Sequence, residues 1–88
     1  MKAVSFTPAA TRQWLRLSAD VRKRIDAKLM SYANERSGDV RRLKGIPGCR
    51  LRIGDWRVIL IEDTRSITVV AVGHRREIYE RQYHERSV

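Results

Sequence analysis

The stretch Cys49–Leu60 reads C-R-L-R-I-G-D-W-R-V-I-L, and no other segment limits the possible folds as sharply. Apolar and basic residues alternate with a period of two on the first side of Gly54-Asp55, and apolar residues follow Arg57 on the second. A Gly-first pair between two such runs closes a two-residue β-hairpin. That turn leaves one register: Ile53 faces Trp56, Arg52 faces Arg57, Leu51 faces Val58 and Arg50 faces Ile59. Directly opposed side chains share a sheet face. Arg50, Arg52 and Arg57 therefore stand together on one face, and Leu51, Ile53, Trp56, Val58 and Leu60 on the other. The apolar face needs a cover of helices. Like charges side by side on the opposite face repel one another, and a bound anion offsets that repulsion. The alternative is a basic face that is simply solvated.

The rest of the chain supplies the cover. Lys2–Phe6 alternates loosely and reads as an opening strand. Thr7-Pro8 is a helix start, with a hydroxyl cap and a proline at the first helical position. Ser18 caps a second helix, with Asp20 in its first turn. Val21, Ile25, Leu29 and Tyr32 form one stripe at helical spacing, and Gly38 is the expected C-cap. Val40–Gly48 reads as a basic loop, because Gly45, Pro47 and Gly48 interrupt any regular element. Strands follow at Cys49–Ile53, Trp56–Glu62 and Ile67–Gly73, the last dense in β-branched residues. Glu77–Gln82 is expected to form a short helix or a frayed tail, and Ser87 and Val88 to be mobile. The order is β-α-α-β-β-β within a single α+β domain spanning residues 1–88.

Charge narrows the function. Nineteen Lys and Arg against ten Asp and Glu give a net charge of +9, and Arg supplies fifteen of the cations. Such a surface points to a polyanion or an acidic protein, and the guanidinium fork suits phosphate. Between Val40 and Arg57 lie Arg41, Arg42, Lys44, Arg50, Arg52 and Arg57 against a single acid, Asp55. No apolar run reaches the ~18–20 residues of a membrane span. The opening MKAVSFTPAATRQW lacks the apolar core of a secretory signal. Cys49 is the only cysteine, so neither an internal disulfide nor a multi-thiolate metal site is expected. A cytoplasmic location follows as the expectation. At the end of the last strand stand His74, Arg75 and Arg76, and a turn later Tyr79. An imidazole moves protons near neutral pH, although a lone histidine after a strand is more often structural. Tyr83 and His84 are given no role.

The stretch LKGIPGCRLRIGDWRVILIEDTRSITVVAVGHRREIY resembles the RelE/ParE superfamily of bacterial toxins from type II toxin–antitoxin systems. The resemblance is close from Leu43 to Tyr79, and the earlier strand and helix pair agree in order. It implies a small twisted antiparallel sheet with an N-terminal helical hairpin on one face, and a short C-terminal helix or tail. The RelE branch implies ribosome-dependent mRNA cleavage in the A site, by attack of a ribose 2′-hydroxyl on the adjacent phosphate, with no metal or other cofactor. The residues it implicates are matched here by Arg50 and Arg52 before the turn, Arg57 after it, Arg75 after the last strand, and Tyr79. The expected catalytic set is Arg57, Arg75, Tyr79 and His74. The RNA phosphates are expected at Arg50, Arg52, Lys44 and Arg76. Arg50 and Arg52 stand where lysine is frequent in that branch, and arginine does not give up a proton, so neither is a general base. Positive charge favours a phenolate, which makes Tyr79 the first candidate for proton transfer and His74 the second. The implied partners are mRNA on the ribosome and an acidic antitoxin, partly disordered alone, through which the complex binds operator DNA. The ParE branch implies inhibition of DNA gyrase instead, and a third possibility is an inactive toxin kept as an antitoxin-binding module.

Overall fold

The computed structural model describes residues 2–85, so the expectation for Ser87 and Val88 lies outside the described residues. The elements are β1 (Ala3–Phe6), α1 (Pro8–Leu15), α2 (Ala19–Glu35), β2 (Asp39–Arg42), β3 (Cys49–Ile53), β4 (Trp56–Glu62), β5 (Ser66–His74) and α3 (Arg75–Glu80). The strands form one sheet in the order β1-β5-β4-β3-β2. The fold is α+β, with both N-terminal helices packed on one face and α3 on the other.

The hairpin has the register its turn dictates, with Ile53 opposite Trp56, Arg52 opposite Arg57, Leu51 opposite Val58 and Arg50 opposite Ile59. Gly54 takes the turn at φ +59. Leu51, Ile53, Val58 and Leu60 are buried against Ile25 and Leu29 of α2 and Ala10 of α1. Both helix starts are capped by hydroxyls, Thr7 accepting from the Ala10 amide and Ser18 from the Val21 amide. Gln13 pins α1 to the sheet, its Oε1 accepting the Val72 amide at 2.8 Å.

Four features depart from the sequence reading. β1 joins the far edge of the sheet parallel to β5, Ala3 opposite Ser66 and Phe6 opposite Val69, so the sheet is mixed. Asp39–Arg42, most of which falls in the expected basic loop, is a strand antiparallel to β3. Only Val40 in that segment is apolar, so its backbone pairing with the β3 edge, and not a hydrophobic pattern, makes it a strand. Residues 43–48 do form a loop, closed by a Leu43 amide to Gly48 carbonyl bond of 3.1 Å. The α2 C-cap is Arg36 at φ +58, not Gly38. A left-handed arginine is strained, and it is held there by its guanidinium, which lies 4.3 Å over the Tyr32 ring and pairs with Glu62. Lastly, α3 begins at Arg75 and not Glu77. Ile78 of α3 packs with Leu43, Ile59 and Ala71 in a second small core.

Candidate active site

The second core tips α3 and the residues after it, through Glu85, over the guanidinium face. Because Ile59 and Ala71 alternate with Val58 and Val72, they point away from the helices and give α3 an apolar seat. Ile78 fills that seat and carries Tyr79 beside it, 65% exposed. Between α3 and the hairpin lies an open cavity of about 650 Å³. Its wall includes Lys44, Arg50, Arg57, Arg75, Arg76, Tyr79, Tyr83, His84 and Glu85.

Each arginine is held by a different device. Arg57 Nη1 donates to the Gly54 carbonyl at 2.6 Å and to the Trp56 carbonyl at 3.0 Å, which leaves its other N–H groups for a ligand. Burial pushes the Arg57 guanidinium below its usual range, and the neighbouring charges of Arg50, Arg52 and Arg75 push the same way while Glu85 opposes them. Arg75 Nε lies 3.7 Å from Asp55, and its amide donates to the Asp55 carbonyl at 2.8 Å. Arg50 is buried, only 3% exposed. Its Nη1 donates to the Asp39 carbonyl at 3.0 Å and lies 3.3 Å from the Asp39 carboxylate. Its Nε lies 2.6 Å from Glu85, with the carboxylate off the N–H axis and the Nε hydrogen bond unmade. Contact with Arg50, and the charges of Arg41 and Arg57 beyond it, hold the Glu85 carboxyl below the usual carboxylate range.

The cavity thus gathers six of the eight expected residues: Arg57, Arg75 and Tyr79 with Arg50, Lys44 and Arg76. Arg52 shares their sheet face but turns to the edge. It pairs with Asp39 at 3.0 Å and lines a separate cleft with Arg24 and Lys28. His74 is not brought into the cavity. It lies opposite Trp56, its ring edge-on to the indole at 5.6 Å. Its Nδ1 accepts the Arg76 amide at 3.3 Å, and the Glu77 side chain accepts the His74 amide in return. That is a reciprocal capping box, legible as H-R-R-E in the sequence. Sequence reasoning misses Tyr83, His84 and Glu85. Tyr83 packs against the second core. His84 stacks on Tyr79 at 4.2 Å and 19°. The signal for them lies in Ile78 and Tyr83, apolar residues five apart that make a tail worth docking.

Among the described residues no three His, Cys, Asp or Glu come together as a metal site, and no helix is long and apolar enough to cross a membrane. What the arrangement can do is bind phosphate on fixed guanidinium groups and present an aromatic ring beside them.

Comparison with known proteins decides the family. Residues 4–79 match the family described as "ParE toxin of type II toxin-antitoxin system, parDE". The chain belongs to this toxin family. Among its relatives, the toxin is 26% identical over 83 residues to the mRNA interferase toxin RelE of Escherichia coli K12, covering 86% of this chain and 87% of that protein. The Shigella flexneri mRNA interferase RelE matches equally. The fold is that of the toxin in the RelB–RelE antitoxin–toxin complex of Methanococcus jannaschii, with TM-score 0.71, 23% identity, and coverage of 86% and 95% of the two chains. It is equally that of the isolated E. coli RelE toxin, with TM-score 0.71, 21% identity, and coverage of 92% and 98%. The toxin is therefore a RelE/ParE superfamily member.

Proposed function

We propose that the toxin is a ribosome-dependent, metal-independent mRNA endoribonuclease that arrests translation in the cytoplasm. One observation carries the reading: a single cavity gathers Arg50, Arg57 and Arg75 with the Tyr79 ring. Cleavage proceeds by attack of the ribose 2′-oxygen on the adjacent phosphate, expelling the 5′-oxygen of the next nucleotide. Charge builds on the phosphoryl oxygens, and preorganised guanidinium groups stabilise it. Arg57, tied to two carbonyls of its own turn, and Arg75, tied to Asp55, need little reorganisation to do so. Holding the attacking and leaving oxygens in line supplies a further large effect. Tyr79 lines the cavity wall, which supports assigning it to orient the 2′-hydroxyl or take its proton. Arg50 binds phosphate and moves no proton.

The partner is an acidic antitoxin that folds as it wraps this basic surface, by the logic of coupled folding and binding. The complexes of the RelB–RelE relatives support that reading, as does the net charge of +9. Through the antitoxin the pair would bind operator DNA. The family's ParE description favours a second reading, inhibition of DNA gyrase. Translation-dependent mRNA cleavage run beside a gyrase supercoiling assay separates the two. Cleaved message with unaffected supercoiling is the expected result, and the reverse outcome overturns it.

A further inference from the structure

The residues that follow α3 already imitate a ligand. The chain leaves the helix through Gln82, at φ +71, and Tyr83 anchors in the second core. His84 and Glu85 then lie along the loop after β2. The Lys44 amide donates to the His84 carbonyl at 2.7 Å, and Glu85 forms a bridge with Leu43. On this mooring the His84 ring stacks on Tyr79 at 4.2 Å, and its Nε2–H donates to the Tyr79 carbonyl at 3.0 Å. The Glu85 carboxylate lies 2.6 Å from Arg50 Nε. A flat aromatic ring on a tyrosine, next to an anion on a guanidinium, is the pair of contacts a nucleotide makes with a single-strand-binding surface.

The geometry points to His84–Glu85 as an internal occupant of the nucleotide site. The imidazole stands in for a base on Tyr79 and the carboxylate for a phosphate on Arg50, so RNA binds only after this pair swings out. This rests on reading the cavity as an RNA site. The release is feasible because Arg50 keeps Asp39 as its counter-ion, so no buried charge is left unpaired. Tyr83 and Ile78 can stay in place, so among the described residues only His84 and Glu85 need move. Being intramolecular, the occupant competes at high effective concentration, and the apparent affinity for RNA falls by the fraction of molecules in which the site is open. The other possibility is a simple staple that holds α3 to the sheet, and the two differ in sign.

The test uses a fluorescent 2′-O-methyl trinucleotide, which cannot be cleaved and needs no ribosome, so a failure of mRNA cleavage leaves this readout intact. Glu85→Gln and His84→Ala are each expected to bind it at least about 3-fold more tightly than wild type, in the manner of a removed competitor. Asp20→Asn, which removes one negative charge from exposed helix surface, sets the generic charge effect. At saturation the Lys44 amide of the wild-type protein should exchange faster, since its His84 acceptor has left. Equal or weaker binding by both variants, tightening no greater than in Asp20→Asn, undiminished Lys44 protection at saturation, or no binding by any variant would each overturn the proposal.

Discussion

Glu62 joins three elements, and its removal should loosen the helical layer in a pH-dependent way. Its carboxylate accepts from Lys2 Nζ at 2.7 Å and from the Tyr32 hydroxyl at 2.7 Å, and it also pairs with Arg36. It thus ties β4 to the chain just before β1 and to the last turn of α2. The Arg36 bond comes first among the causes that hold the Glu62 carboxyl at about 2, against an ordinary 4.5. That displacement corresponds to roughly 3 kcal/mol at 25 °C. Lys2 and Arg36 reach partly into solvent, so screening reduces the net to about 1–2 kcal/mol. A carboxyl lowered on folding stabilises above its unfolded value, and the contribution fades as pH falls from about 4.5 toward 2. Tyr32 shows the opposite sign. Burial and the Glu62 bond raise its phenol from 10.0 to about 12, so its contribution is full below pH 10 and lost as pH rises through 12. Urea unfolding of wild type and Glu62→Gln, followed by tryptophan fluorescence, should differ by about 1–2 kcal/mol at pH 7. The gap should shrink to roughly a quarter of its pH 7 value by pH 2.5, because the native carboxyl at about 2 is then only partly protonated. Other carboxylates titrate in both proteins and cancel. A gap that stays constant from pH 7 to 2.5 would refute the electrostatic origin.

Ile78→Ala should cost about 2–5 kcal/mol, and limited proteolysis should then cut near α3 first, because Ile78 alone seats that helix in the second core. Gly54→Ala should lower stability by about 1–2 kcal/mol from the positive φ, read as a lower Tm. The new Cβ would meet only the flexible Arg24 tip at 2.7 Å, so Arg24→Ala in the same chain should recover little. Tyr79→Phe should slow cleavage of ribosome-bound mRNA, whereas His74→Gln should act on stability and leave the pH–rate profile unchanged. An altered profile for His74→Gln would bring that histidine back into the chemistry.

The parts of the fold that local rules govern are legible in the sequence. Gly54-Asp55 and strict alternation fix the hairpin register, and with it the placing of Arg50, Arg52 and Arg57 on one face. Hydroxyl caps at Thr7 and Ser18 mark both helix starts. What local rules do not govern is hidden. The parallel pairing of β1 with β5 joins residues some sixty positions apart and leaves no local trace. β2 has one apolar residue, and its pairing with β3, reinforced by Asp39 against Arg50 and Arg52, follows no local hydrophobic pattern. Arg36 caps α2 because Glu62, distant in sequence, holds its side chain. The site is legible in its cations but not in its anions. Asp39 and Glu85, which offset the crowding of guanidinium groups, sit just past the second helix and in the C-terminal tail, where no pattern marks them. A charge cluster in a sequence says that compensation is needed, not which residue provides it.

The most direct test of the cavity as a catalytic site is the cleavage rate at one arginine. Ribosomes stalled on a labelled message are mixed with wild type or Arg57→Ala, in parallel with a message carrying a 2′-deoxy sugar at the scissile nucleotide. Arg57→Ala should cut on the order of 10²-fold more slowly or worse, with a Tm within a few degrees of wild type, and Arg57→Lys should recover only part of the loss. The 2′-deoxy message should stay whole with every variant. Cutting by Arg57→Ala at the wild-type rate, or cutting of the 2′-deoxy message at all, would contradict the mechanism.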